Sequence, residues 1–208
     1  MSSACDVCPS WVAIIDACPT IPLSDFEEKP IEFFTSLLMA VASFSILFDA
    51  IIVISNAKTW RNKRNLIFVY LIPFILNETL LKNYFKQPRP ALACVNSYGM
   101  PSGHATSAST NFVMVSMLLM KGMMKRPNVG HFYLFWMPLQ AYSRIYLHYH
   151  TVDQVLAGFT LGIIASNILL MFFPITTDKE NIEYQVLDEE IVHLIEPAQE
   201  MNHPELMI

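Results

Sequence analysis

Long apolar runs alternate with short polar islands along this chain, and the runs have the length of membrane helices rather than of strands. A helix needs roughly 17–25 predominantly apolar residues to cross a hydrocarbon core of about 30 Å. Five stretches fit that requirement, at residues 31–55, 66–81, 105–124, 131–147 and 152–173. The second is short and interrupted by Pro73, and the fourth carries Pro138. Backbone groups freed by such prolines can be satisfied by neighbouring helices. The pattern therefore predicts an all-α fold, a polytopic transmembrane helical bundle with about five spans.

Composition supports the same class. Hydrophobic residues make up 53% of the 208 and charged residues only 15%. A soluble bundle would need more charge than these runs contain. The start of the chain lacks a basic region, and "WVAII" is too short for the apolar core of a cleavable signal, so the first span is expected to act as the targeting signal.

Charge then sets the orientation. Lys58, Arg61, Lys63 and Arg64 lie between the first two spans, and Lys121, Lys125 and Arg126 between the third and fourth. The excess of Lys and Arg predicts that this side is cytoplasmic. The expected organisation is a non-cytoplasmic segment at 1–30, a membrane domain at 31–174 and an acidic cytoplasmic tail at 175–208. That tail holds half of the chain's 18 acidic residues and reads as a solvated, partly disordered segment. Cys5, Cys8, Cys18 and Cys94 all fall on the non-cytoplasmic side, where disulfides, reduced thiols and, least of all, a metal are the alternatives. Four cysteines allow three pairings.

Lys82, Lys86, Arg89 and Arg144 violate the charge rule, because they fall on the non-cytoplasmic side. They belong to three polar islands at span ends: "KNYFKQPRP" at 82–90, "PSGH" at 101–104 and "SRIYLHYH" at 143–150. A bundle can bring these ends to one point. Lys82, Arg89 and Arg144 would then offer positive charge, the arginines suiting bidentate contact with phosphate oxygens. Ser102 and Gly103 precede a helix expected to begin near His104, and exposed N–H groups at such a terminus attract anions. His104 and His150 supply groups able to transfer protons or attack phosphorus. Each island alone has a bland explanation, such as a lysine reaching for lipid headgroups or a histidine filling a helix end. Their joint occurrence points to a phosphate cradle with two catalytic histidines.

The same residues resemble a known family. Lys82-x6-Arg89-Pro90, Pro101-Ser102-Gly103-His104 and Ser143-Arg144-x5-His150 are similar to the three signature motifs of the phosphatidic acid phosphatase type 2 superfamily of membrane lipid phosphatases. The resemblance covers roughly residues 66–173. Within that superfamily, "YGMPSGH" and "YHTVDQVLAG" look most like the dolichyl diphosphate phosphatases. The resemblance implies that His150 is the nucleophile and His104 the proton donor to the leaving oxygen. It also implies that Lys82, Arg89, Ser102, Gly103 and Arg144 hold the phosphoryl group, with no metal and no other cofactor. The expected partners are a polyprenyl diphosphate or another phosphorylated lipid and the bilayer, with no nucleic acid. The expected location is the endoplasmic reticulum membrane with a lumen-facing site.

One position departs from the common superfamily pattern. Four residues after the nucleophile an aspartate usually orients its imidazole, whereas this chain has Gln154 there and Asp153 one residue earlier. Both are candidates for the orienting residue. Loss of the aspartate also supports an alternative, a lipid-phosphate-binding protein without turnover. A further enzyme alternative keeps the chemistry and changes the substrate to phosphatidate or another lipid phosphate. Glu78 precedes Lys82 by four residues, the spacing of a helical ion pair. Asp49 has no evident partner.

Overall fold

The computed structural model describes residues 30–93, 97–177 and 180. Segment 1–29, all four cysteines and the acidic tail beyond residue 180 lie outside the described residues. The chain divides into two units, Met1–Ile175 and Thr176–Ile208. In the second, Thr177 N donates to Glu180 Oε2 at 2.6 Å and Glu180 N to Thr177 Oγ1 at 3.3 Å.

The described part of the first unit consists of helices and the turns between them, with an isolated bridge between Ala57 and Met124. Its long helices are α1 (Pro30–Asn56), α2 (Trp60–Phe85), α3 (Gly103–Met120), α4 (Pro127–Tyr146) and α5 (Val152–Phe172). α2 and α5 are long and apolar enough to cross a membrane.

Local sequence explains the helix ends. Thr59 caps α2 by accepting from Asn62 N, and Ser102 caps α3 by accepting from Ala105 N. Pro127 starts α4, where its missing N–H costs nothing. Thr151 and Gln154 form a capping box at the start of α5.

The expectation of a short second span is corrected. α2 runs for 26 residues from Trp60, with Pro73 accommodated inside it. Beyond the proline the ladder slips into a π-helical turn at Asn77–Leu81, where Lys82 N bonds Asn77 O. The wider turn carries the helix onward to Phe85 and so places Lys82 on a helix instead of in a loop.

α3 is the hub and packs against the other four long helices. Its first turns are built from Ala105, Thr106, Ser107, Ala108, Ser109 and Thr110, all buried. Small side chains there let α5 approach closely, and α5 answers with Gly158 and Gly162. A Cβ at Gly158 would overlap the Ser102 carbonyl, and one at Gly162 would overlap Ser109 Oγ and the Thr106 carbonyl. Close approach through small residues four apart is a common way for membrane helices to pack.

At one end of the bundle, the α1–α2 and α3–α4 connections are bonded together. Lys125 N donates to Asn56 O at 2.9 Å and Lys58 Nζ to Gly122 O at 2.8 Å. The exit from α5 joins them, since Pro174 O accepts from Asn65 and Ile175 O from Lys121. Both basic clusters therefore share one end, and the three polar islands lie at the other.

Asp49 finds its partners on α4. Gln140 Nε2 donates to its carboxylate and to Ser45 Oγ, and Ser45 Oγ also bonds Asp49 Oδ2 at 3.1 Å. Trp136 Nε1 donates to Ser45 Oγ at 3.0 Å. A buried acid supplied with donors in this way costs far less than an isolated one.

Gly158→Ala is expected to lower stability by about 1–3 kcal/mol, because the added methyl must push the α3 N-terminus away. Thermal unfolding in detergent checks this. An unchanged midpoint would contradict the close packing of α3 and α5.

Candidate active site

The site begins with the chain turns that deliver its residues. α2 stops where Lys86 takes a left-handed conformation, φ 48°, which turns the backbone into Gln87–Pro90. α4 ends at a corner where His148 is left-handed at φ 57°. The turn folds the strand of residues after it back on Arg144, whose carbonyl accepts from Tyr149 N at 3.0 Å and His150 N at 3.1 Å. His148 itself stays exposed at the rim. The entry to α3 is tied to α5 by Ser102 N donating to Gln154 O at 3.0 Å.

These turns bring His150, Arg89 and Gln154 into one chain of hydrogen bonds. Gln154 Nε2 donates to Pro88 O at 2.8 Å. A carbonyl can only accept, so this bond fixes which way the Gln154 amide faces. Its Oε1 then faces His150 Nδ1 at 3.1 Å and also accepts from Thr151 N at 3.2 Å. On the other side of the ring, Arg89 Nη1 lies 3.2 Å from His150 Nε2. Guanidinium can only donate. The imidazole therefore carries its proton on Nδ1 and keeps a lone pair on Nε2.

Electrostatics act in the same direction. Burial, reinforced by the Arg89 and Arg144 guanidiniums, pushes His150 down to about 2, against the smaller opposing effect of the Gln154 bond. His150 is thus neutral throughout the physiological range. Its protonation is favoured in the unfolded chain below about pH 6.5, so this residue makes the fold less stable as pH falls through that value.

Three cations act on the ring. Arg144 is fully buried and its guanidinium lies 4.2 Å from the centroid of the Tyr149 ring. Lys82 is buried and paired with Glu78 at 2.8 Å. His104 stands on the first turn of α3, partly exposed, within the fields of Arg144, His150, Arg89 and Lys82. Ser102 is fully buried as the cap of α3, and Gly103 follows at the first helical position.

Asp153 is not brought to the imidazole. It lies on the outer side of α5, exposed, where Gln87 Nε2 donates to its Oδ2 at 3.1 Å. Successive helical residues point about 100° apart, and the capping box already turns Gln154 inward. The Thr151-x-x-Gln154 pattern was the sequence signal for that orientation. Pro88, Tyr149 and Gly99 are further contributors. A side chain at Gly99 would collide with the Gln154 amide.

The sequence profile of the PAP2 superfamily matches residues 62–177, more than half of the chain. The chain belongs to the PAP2 superfamily. Two curated proteins named dolichyldiphosphatase are similar to it. One, from Saccharomyces cerevisiae, is 31% identical over 111 residues, which is 45% of this chain and 46% of that protein. Another, dolichyldiphosphatase 1 of Dictyostelium discoideum, is 32% identical over 106 residues, 47% of this chain and 46% of its own length. Sphingosine-1-phosphate phosphatase 1 of Rattus norvegicus is 31% identical over 122 residues, 54% of this chain and 27% of that protein. The chain thus spans about half the length of the dolichyldiphosphatases it matches and about a quarter of the sphingosine-1-phosphate phosphatase. No solved structure matches it.

The expected protonation state is testable by nitrogen-15 spectroscopy of histidine-labelled protein. The His150 ring should remain the neutral Nδ1–H tautomer from pH 8 to pH 5, and Gln154→Ala should mix the tautomers. A ring titrating near pH 6.5 would contradict the burial and charge described above.

Proposed function

We propose that this protein is an integral membrane phosphatase that converts a polyprenyl diphosphate, of the dolichyl type, to the monophosphate plus phosphate. The observation that carries this reading is the Pro88–Gln154–His150–Arg89 chain, which leaves a neutral imidazole with its Nε2 lone pair beside a guanidinium. A nucleophile for phosphorus needs that tautomer, and a phosphoryl group needs cations around it.

In this mechanism His150 Nε2 attacks the terminal phosphorus and the bond from that phosphorus to the bridging oxygen breaks. His104 gives a proton to the departing oxygen of the lipid monophosphate. Water then attacks the phosphohistidine, His104 takes its proton, and phosphate leaves with the His150 ring restored. Arg89, Arg144 and Lys82, with Ser102 and the Gly103 N–H, hold the phosphoryl oxygens. Gln154 orients the ring, and Asp153 acts only through Gln87 at the loop. The cations supply charge that a metal supplies in other phosphatases.

In this reading all five long helices, α1 to α5, cross the bilayer. Outward-facing apolar side chains such as Phe34, Val41, Ile51, Phe68, Ile75, Ile164 and Met171 would meet lipid. The basic loops face the cytoplasm in this arrangement, so the site faces the other side, the lumen of the endoplasmic reticulum. There the reaction would recycle the carrier lipid of glycan assembly. The similarity to sphingosine-1-phosphate phosphatase 1 favours a second reading, in which the substrate is a lipid phosphate monoester.

Phosphate release by purified protein in detergent tests these readings. Dolichyl diphosphate is expected to turn over faster than undecaprenyl diphosphate, phosphatidate or sphingosine 1-phosphate, with or without chelator. His150→Ala should lower turnover at least about a thousandfold, roughly 4 kcal/mol in the barrier. Preference for a monoester would favour the second reading. Full dependence on added magnesium would overturn the mechanism.

A further inference from the structure

Among the described residues, the carboxylate set against the entry of α3 is Glu78, and it is not part of the reaction described above. It sits in the π-helical turn of α2, a backbone irregularity that re-aims side chains and recurs at functional sites. One oxygen holds Lys82 Nζ at 2.8 Å. The other accepts from Asn77 Nδ2 at 3.3 Å and lies against Gly103, so close that a Cβ there would overlap it. Among the described residues, the other acid near the cradle is Asp153, which is turned outward to Gln87. Glu78 thus places a negative charge between the lysine and the helix entry that are assigned to the phosphoryl group.

We propose that Glu78 is an affinity-setting residue that keeps the cradle from retaining its inorganic phosphate product. The inference rests on the phosphate-cradle reading. A dianion at Gly103 must share Lys82 with the carboxylate and tolerate a like charge beside it, which weakens binding of any small anion. A diphosphate lipid offsets that repulsion with contacts made by its second phosphate and its chain, whereas free phosphate has neither. Glu78 therefore acts selectively on product release, and Lys82 remains held in position when the site is empty.

The test is binding of inorganic phosphate to the purified chain in detergent, by calorimetry and by competitive inhibition of turnover. Glu78→Gln keeps the size of the side chain and an oxygen able to accept from Lys82, yet removes the charge. It is expected to bind phosphate about tenfold more tightly, with KM and kcat for dolichyl diphosphate falling together as product leaves more slowly. Glu78→Ala should also tighten phosphate binding, and either variant alone decides the sign. If Glu78 only props Lys82 in place, Glu78→Gln leaves phosphate binding unchanged and Glu78→Ala weakens it. Weaker or unchanged binding in the variants, with measurable binding in the parent, would overturn the role of Glu78 alone. Absence of phosphate binding in the parent and in both variants alike would overturn the cradle reading as well.

Discussion

The Pro88 carbonyl determines the state of the whole site through a single side chain. It accepts from the Gln154 amide nitrogen, which forces the amide oxygen towards His150. An amide cannot ionise, so it orients the ring without lending it charge. Most of the electrostatic influence on the ring then comes from burial and from Arg89 and Arg144, and it disfavours the protonated form. An aspartate at the same position would raise the basicity of the imidazole by pairing with its charged form. Glutamine gives a ring that is fixed and neutral, which in the proposed reaction suits attack on a phosphoryl group held by cations.

That arrangement depends on packing some distance away. The Gln154 backbone is tied to Ser102, and Ser102 lies against Gly158 one turn further along α5. The close approach of α3 and α5 therefore sets both the helix entry that carries Gly103 and His104 and the helix start that carries Gln154. At the opposite end, bonds between the α1–α2 and α3–α4 connections gather the basic residues. The Asp49–Gln140–Ser45 network locks α1 to α4 about one turn before Arg144. Polar contacts thus set the positions of helices whose outer faces are apolar.

Much of this was legible in the sequence. Apolar runs separated by short loops gave the helices to within a few residues in most cases, and Ser102 marked the start of α3. The three polar islands fall at one end, because loop lengths alternate the helix directions. The second helix was less legible: Pro73 suggested an interruption, yet neighbouring packing and a π-helical turn carried the helix through to Phe85. Asp49 could not be paired from sequence, since its partner lies 91 positions away. Asp153 and Gln154 looked equivalent by distance along the chain. What separated them was the direction of the first turn of α5, with Gln154 facing the ring and Asp153 facing Gln87.

In the proposed mechanism His150 takes up the phosphoryl group covalently. Rapid quenching of the protein after brief mixing with dolichyl diphosphate labelled in its terminal phosphate tests this most directly. Label is expected on the peptide containing His150, stable in alkali and lost in acid, as befits a phosphorus–nitrogen bond. Release of labelled phosphate at full rate with no labelled peptide, or with the label on Ser102 instead, would contradict it.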